Sequence, residues 1–263
     1  AIRICLVGSE MCIRDSEPAI SLTPTIGEGF LGHLGLEVHR SATQWSLAPK
    51  LTEANTSQFN LELTSRCPVS DVEVTHQFTL DPTHSVLCLS VSVRNLSDQA
   101  TLFIDNCAAT LQLPDHLTEL EEVTGRWANE FQNQRHAITR SAYVRENWTG
   151  RSSHHMNPTL TLFEKTTCAS HGDALGVHLG WSGNHQIRVE SLADGRQMLQ
   201  AGELLRPGEL ELGPGEEYES PRLYLCHSSH GQNGLTRQWH QMIRREFISK
   251  QRPASTRRPV QLN

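Results

Sequence analysis

Apolar and polar residues alternate most regularly over residues 71–80, where the sequence reads DVEVTHQFTL. One side of this segment carries Val72, Val74, His76, Phe78 and Leu80. A period of two predicts a half-buried β-strand. The Asp-Pro pair at 81–82 marks a turn, because proline fixes φ and aspartate can bond the nearby backbone. Residues 86–93 then alternate again, with Leu87, Leu89, Val91 and Val93 on one side. We therefore expect an antiparallel hairpin whose two apolar rows face one core.

The pattern continues in short runs towards the C-terminus. Further strands are predicted at 101–113, 174–181, 186–191, 197–204, 209–212 and 222–226. Turn signals separate them at Gly183-Asn184, Asp194-Gly195, Pro207-Gly208 and Pro214-Gly215. Turns at this density are typical of β-sandwiches and barrels. Helical periodicity is clear once, at 235–247, where Leu235, Trp239, Met242, Ile243 and Phe247 form an apolar stripe. The predicted fold is all-β, followed by one amphipathic helix.

The two ends of the chain differ from this pattern. Residues 1–16 (AIRICLVGSEMCIRDS) have no initiator methionine and only a short apolar stretch, and they resemble a translated library adapter, so we predict a non-native segment there. We assign 17–230 to the β domain, 231–257 to the helix and a linker, and 258–263 to the start of a further domain. The chain is interpreted as a fragment of a longer protein.

Composition excludes several classes of protein. The 263 residues are 37% hydrophobic and 20% charged, which excludes a disordered tail, and no apolar run approaches the length of a membrane helix. A net charge of −6 argues against a nucleic-acid-binding surface. Seven scattered cysteines without a C-x-x-C motif indicate a reducing compartment, so a cytoplasmic location is predicted.

No motif for catalysis or cofactor binding is present. Fourteen histidines occur, but none has the spacing of a zinc site. The hydrolase elbow G-x-S-x-G, the P-loop and the dinucleotide fingerprint are all missing. The acidic pairs Glu121-Glu122 and Glu216-Glu217 are interpreted as solvated turn residues. We therefore predict no catalytic residue, no metal and no cofactor in this chain.

One segment, GWSGNH at 180–185, suggests a binding function. An indole between two glycines can stay open at a turn, where the face of Trp181 would stack on the C–H side of a sugar ring. Asn184 would add a donor and an acceptor for hydroxyl groups. The alternative is that Trp181 is a core residue beneath a glycine-rich hairpin.

Several longer segments carry a family resemblance. They read GRWANEF at 125–131, SAYVRENW at 141–148, GRSSH at 150–154, GVHLGWSGNH at 176–185, QAGELLRPGE at 200–209 and YESPRLY at 218–224, with GEGFLGHLGLEVHR at 27–40 and Trp45 upstream. In this order they resemble the N-terminal domain of bacterial α-galactosidases of glycoside hydrolase family 36, especially the raffinose and melibiose hydrolases. The resemblance covers residues 18–263. Residues 1–16 match nothing in the family.

The resemblance implies a large β-supersandwich that precedes a (β/α)₈ barrel, of which 258–263 would be the beginning. The two catalytic aspartates of this retaining reaction would lie on that barrel, so no catalytic residue is assigned here. The resemblance implies that Trp181 lies near the sugar-binding cleft. In family members this is often the cleft of a neighbouring subunit in the oligomer. One departure is that residues 50–60 stand where some members have a Gly-Asp-aromatic-Arg run.

The implied partners are α-galactoside oligosaccharides, the chain's own catalytic barrel and further copies in a homo-oligomer, with no nucleic acid and no membrane. Two alternatives stay open. The domain could be a lectin-like sandwich without catalysis, or the N-terminal domain of another sugar-active enzyme such as a disaccharide phosphorylase, which would continue into an (α/α)₆ barrel.

Overall fold

The fold is antiparallel β structure with one helix on its outside. A computed structural model describes residues 20–41 and 43–248. Its strands are β1 (Leu36–His39), β2 (Lys50–Thr56), β3 (Asn60–Cys67), β4 (Val72–Asp81), β5 (Val86–Asn95), β6 (Leu102–Leu113), β7 (Leu117–Arg126), β8 (Asn129–Ala137), β9 (Ala142–Asn147), β10 (Thr159–Glu164), β11 (Ala174–Leu179), β12 (His185–Ser191), β13 (Gln197–Glu203), β14 (Leu210–Leu212), β15 (Glu217–Glu219) and β16 (Leu223–Ser228). Helix α1 (Gly231–Ile243) follows and ends in a π-helical turn, Arg244–Ile248.

The strands form two sheets. The smaller has six strands in the order β1-β6-β13-β12-β9, with β14 also pairing with β6. The larger has ten strands in the order β2-β3-β4-β5-β16-β11-β10-β7-β8, with β15 also pairing with β5. Side chains of both sheets meet in one continuous apolar core, as expected of a sandwich. The predicted all-β fold is confirmed.

The predicted hairpin is β4–β5. Its register places Val74 opposite Val93 and Phe78 opposite Leu89. The rows face the same core, and their members are buried except for Leu80 at the end of β4. The prediction of one shared apolar face is therefore confirmed.

Helix α1 covers part of the outer face of the large sheet. Leu235 and Met242 are buried there, and they pack with four sheet residues in a second, smaller apolar cluster. The sheet members of this cluster are Val86, Phe163, Ala174 and Cys226. The helix begins four residues before the predicted 235–247. Within the described ranges, no helix is long and apolar enough to span a membrane.

Some strands were not predicted because they lack a buried face. All seven residues of β2 are exposed, and eight of the nine in β8 are exposed as well. Without burial there is no selection for alternation, so the pattern carries no signal. Glu121 and Glu122 were also interpreted wrongly, because they lie within β7 and not in a turn.

Three sequence predictions concern residues outside the described part of the chain. These are the non-native segment 1–16, the linker up to 257 and the first residues of a further domain at 258–263.

Leu89 provides a test of the core. Its side chain has no exposed surface, so Leu89→Ala is expected to lower the free energy of unfolding by about 2–5 kcal/mol. The exposed β2 residue Thr56 is a matched control, and Thr56→Ala should change it by less than about 0.5 kcal/mol. Urea unfolding measures both. Equal effects would contradict the described packing.

His76 makes stability depend on pH. Its ring is buried, with Nε2 3.0 Å from Thr23 Oγ1, and burial lowers its pKa from 6.5 to about 4. Between pH 6.5 and about 4, the His76 imidazole is protonated in the unfolded chain but stays neutral in the folded chain. Stability is therefore lost as the pH falls from 6.5 to about 4, by up to about 3 kcal/mol from this group.

The measurement compares urea unfolding of the parent chain and His76→Gln near neutral pH and near pH 4.5. We expect a smaller loss on acidification for the variant. Equal losses in both proteins would show that His76 does not bear this pH dependence.

Candidate sugar-binding site

Three connections meet at one end of the sandwich. The β9–β10 connection (148–158) and the β11–β12 connection (180–184) both cross from one sheet to the other at this end. The β13–β14 connection (204–209) joins them through the Leu204 N–H, which donates to the Asn184 carbonyl over 3.1 Å. We call this group of connections the loop cluster. It contains both residues that the sequence singled out.

Trp181 is partly open to solvent, with 38% of its surface exposed. Its indole folds back over Gly183, where a Cβ atom would lie only 2.6 Å from the indole Nε1. A glycine is therefore required for this ring position. Gly180, by contrast, faces Tyr224 and the Arg222 carbonyl. Trp181 therefore lies in a loop and is not a fully buried core residue.

Asn184 is half-buried and braces the cluster. Its Oδ1 accepts the Gly150 N–H over 2.8 Å, and this bond joins the two crossing connections. The backbones of the same connections are joined again where the Ser152 N–H donates to the Ser182 carbonyl over 2.6 Å. Asn184 thus places the loops, and its oxygen is already engaged before any ligand binds.

Asn147, which the sequence analysis did not single out, holds the loop from beneath. The residue is buried, and its amide donates to the carbonyls of Arg151 (2.9 Å) and Gly183 (3.3 Å). Beside it the His185 Nδ1 lies 3.0 Å from the same Gly183 carbonyl. Burial lowers the His185 pKa, and the positive charge of Arg145 adds to this. A neutral imidazole that donates to Gly183 fits these contacts.

A buried guanidinium ties the cluster to β7. The Arg145 Nη2 atom donates to the carbonyls of Val123 (2.8 Å) and His155 (3.2 Å). Its Nη1 lies 3.5 Å from Glu122, whose carboxylate also accepts the Tyr143 hydroxyl over 2.6 Å. Burial and the neighbouring Glu122 raise the Tyr143 pKa. These contacts link the base of the loop cluster to β7 and β9.

A second exposed indole, Trp148, lies in the same cluster. It is 44% exposed, and its Nε1 donates to Glu146 over 3.0 Å. The Arg206 guanidinium lies 4.9 Å from its ring centroid. Both residues belong to segments that carry the family resemblance, but neither was predicted as a site residue. A tryptophan directly after a strand and a Pro-Gly turn after Arg206 were the available signals.

An apolar groove of about 680 Å³ runs between α1 and the outer face of the large sheet. Trp239, His178 and Tyr224 line it, and Gly180 and Ile243 border it towards the loop cluster. Burial lowers the pKa of His178. The groove therefore connects the helix to the Trp181 segment.

No group of three or more potential metal ligands is found within residues 20–41 and 43–248. The exposed chemistry of the loop cluster is two indole faces and arginine donors. Aromatic faces bind the C–H side of sugars, and guanidinium and amide groups bind hydroxyls.

Comparison with known proteins places the chain in a family. The family model for the glycosyl hydrolase family 36 N-terminal domain matches residues 8–213. The expectation that residues 1–16 match nothing in the family is therefore wrong for residues 8–16. The Escherichia coli protein named alpha-galactosidase is 34% identical over 249 residues, which are 95% of this chain and 35% of that protein. Alpha-galactosidase Mel36A of Lactobacillus acidophilus is 29% identical over 195 residues, 74% of this chain and 26% of its own length.

Solved structures show the same fold. A variant of the GH36 alpha-galactosidase AgaA from Geobacillus stearothermophilus, in complex with raffinose, superposes with a TM-score of 0.78 at 20% identity, over 85% of this chain and 34% of that one. The alpha-galactosidase from Lactobacillus brevis gives a TM-score of 0.74 at 20% identity, over 84% and 32%. The chain spans about a third of the length of such relatives. It belongs to the glycosyl hydrolase family 36 N-terminal domain family.

Proposed function

We propose that this chain is the non-catalytic N-terminal domain of an enzyme that hydrolyses terminal α-D-galactosides of the melibiose and raffinose type. The family match over residues 8–213 carries this proposal. Retaining hydrolysis needs two carboxyl groups about 5–5.5 Å apart. Glu146, near the end of β9 beside the loop cluster, is already engaged by Trp148 and by Arg188 at 3.8 Å. The catalytic aspartates are expected on a (β/α)₈ barrel beyond this chain.

The position of α1 supports a following domain next to the site. The helix begins after β16, whose Ser228 pairs with Ala174 at the end of the sandwich away from the loop cluster. It then runs along the groove, and Ile243 borders the groove together with Gly180. The C-terminal end of α1 therefore lies on the side of the Trp181 segment. We propose that the catalytic domain covers this groove and that the loop cluster faces its substrate.

Within this proposal Trp181 stacks on a sugar ring, and Asn184 places the loop and contacts hydroxyls with its amide nitrogen. The longer enzyme is proposed to be a cytoplasmic homo-oligomer. Free thiols at the described cysteines 67, 88, 107, 168 and 226 support a reducing compartment.

The gene sequence after the codon for Asn263 tests the assignment as a whole. A (β/α)₈ sequence with two aspartates at barrel-strand ends supports it. A stop codon, or an (α/α)₆ domain, would contradict it.

Trp181→Ala in the longer enzyme tests sugar contact. Loss of stacking should cost about 1–3 kcal/mol of transition-state stabilisation. This corresponds to a decrease in kcat/KM of roughly 5- to 150-fold. Melting temperature should change little, because a partly exposed indole contributes little to the core. Steady-state kinetics and a thermal melt are measured together.

Phe59→Ala is the matched control. Phe59 is similarly exposed, at 40%, but lies in the β2–β3 turn at the other end of the sandwich. Its removal should leave kcat/KM unchanged. A large loss of stability with unaltered kinetics for Trp181→Ala would contradict sugar contact.

We further expect the 263-residue chain to hydrolyse no α-galactoside, because both catalytic carboxylates lie outside it. An aryl α-galactoside assay of the purified chain measures this, with an extract from empty vector as baseline. Turnover above that baseline would overturn the assignment as a non-catalytic domain.

A further inference from the structure

Trp148 is an exposed indole that its neighbours hold at one edge and at one face. Its Nε1 donates to Glu146 over 3.0 Å, and that carboxylate lies 3.8 Å from the Arg188 Nη2. The Arg206 guanidinium covers one face of the ring, 4.9 Å from its centroid. With 44% of the residue exposed, part of the ring stays available to a ligand. A tryptophan fixed in this way loses little side-chain freedom when another ring stacks on it.

A tight turn in the β13–β14 connection fixes the backbone of Arg206. Its N–H donates to the Glu209 Oε2 over 2.8 Å, and the Glu209 N–H donates to the Arg206 carbonyl over 3.0 Å. Gly208 completes the turn with φ of 76°, a conformation that favours glycine. Among the described residues the Arg206 guanidinium makes no hydrogen bond and no ion pair. Its N–H groups can therefore donate to the hydroxyls of a ligand.

Trp148 and Trp181 are held on one hydrogen-bonded frame. Trp148 directly follows Asn147, whose amide donates to the Gly183 carbonyl over 3.3 Å. Gly183 is the residue over which the Trp181 indole folds. The β13–β14 connection, which carries Arg206, is hydrogen-bonded to the same β11–β12 connection. One ligand that spans this frame can therefore contact both indoles.

The two indoles lie at different distances from the proposed catalytic domain. Gly180, directly before Trp181, borders the groove on the large sheet that this domain is proposed to cover. Trp148 instead contacts Glu146 of β9, which neighbours Arg188 of β12, and both strands belong to the small sheet. The bond that breaks must lie at the catalytic domain. Trp181 is therefore nearer to the galactosyl end of a substrate, and Trp148 is nearer to the leaving group.

From this arrangement we propose that Trp148 and Arg206 form a second sugar subsite, which binds the sugar unit next to the galactosyl group. The subsite rests on the proposed function and deepens it. The indole stacks on the C–H face of the second sugar, and the guanidinium donates to its hydroxyls. The positive charge of Arg206 disfavours a cationic ligand at this place.

The subsite makes the enzyme select substrates by length. Raffinose carries a second sugar after its galactosyl group, whereas methyl α-D-galactoside carries only a methyl group there. The contacts with Trp148 and Arg206 can therefore form with raffinose alone. An aryl galactoside would be a poor probe, because its aromatic ring could itself stack on Trp148.

Trp148→Ala in the longer enzyme is the first experiment. Loss of stacking should lower kcat/KM for raffinose by roughly 5- to 150-fold. We expect kcat/KM for methyl α-D-galactoside to stay close to that of the parent enzyme. Galactose release measures both. An equal fall for the two substrates, or no fall for raffinose, would overturn the proposal.

Arg206→Ala is the second experiment and does not depend on the tryptophan variant, because Arg206 lies on another connection. It should also lower kcat/KM for raffinose selectively, and a thermal melt checks that the variant is folded. Trp45→Ala is the matched control. Trp45 is 51% exposed and lies beside β1, at the edge of the small sheet opposite to β9, so its removal should leave both substrates unchanged. Equal effects of Arg206→Ala on both substrates would overturn the proposal.

The same assays separate this subsite from the proposed function. A parent enzyme that releases galactose from neither substrate would contradict the proposed function itself. A parent enzyme that hydrolyses both, with the ratio of the two kcat/KM values unchanged in Trp148→Ala and Arg206→Ala, would overturn the subsite alone.

Discussion

The burial of β5 on both of its faces is the constraint on which the rest of the structure depends. One face, with Leu89, Val91 and Val93, closes the core against the small sheet. The other face, at Val86, packs in the cluster that holds α1. A strand buried on both sides needs neighbours on both edges, and β4, β15 and β16 supply them. The two-sheet sandwich and the position of the helix both follow from this strand.

The loop cluster depends on polar contacts more than on apolar burial. Its connections cross between the sheets, so each must satisfy backbone groups where no ladder continues. Asn147 and Asn184 do this from below and from the side, and Arg145 joins the base to β7. A tryptophan on such a braced loop loses little side-chain freedom when a ligand stacks on it, which favours binding.

The arrangement also brings the proposed surfaces of the domain together. The groove beside α1 and the loop cluster lie next to each other, and Gly180 borders both. The β7–β8 hairpin adjoins the loop cluster, because the Val123 carbonyl of β7 accepts the Arg145 guanidinium at the base of the cluster. One sandwich thus carries adjoining surfaces for sugar and for the next domain, as proposed above.

The sequence by itself determined some of the elements that have a buried face, although it missed others, such as β10 with its buried Leu160 and Leu162. Alternation revealed β4 and β5 with their shared core, and the 3.6-residue period revealed α1, because burial on one side selects apolar residues at fixed spacing. It also marked Trp181 through its flanking glycines. Only the tertiary structure decided the strands β2 and β8, the bracing role of Asn184 and the inclusion of Asn147, Trp148 and Arg206 in the site. Exposed edge strands have no burial to leave a pattern, and contacts between loops from different sheets depend on distances in space that local spacing does not encode.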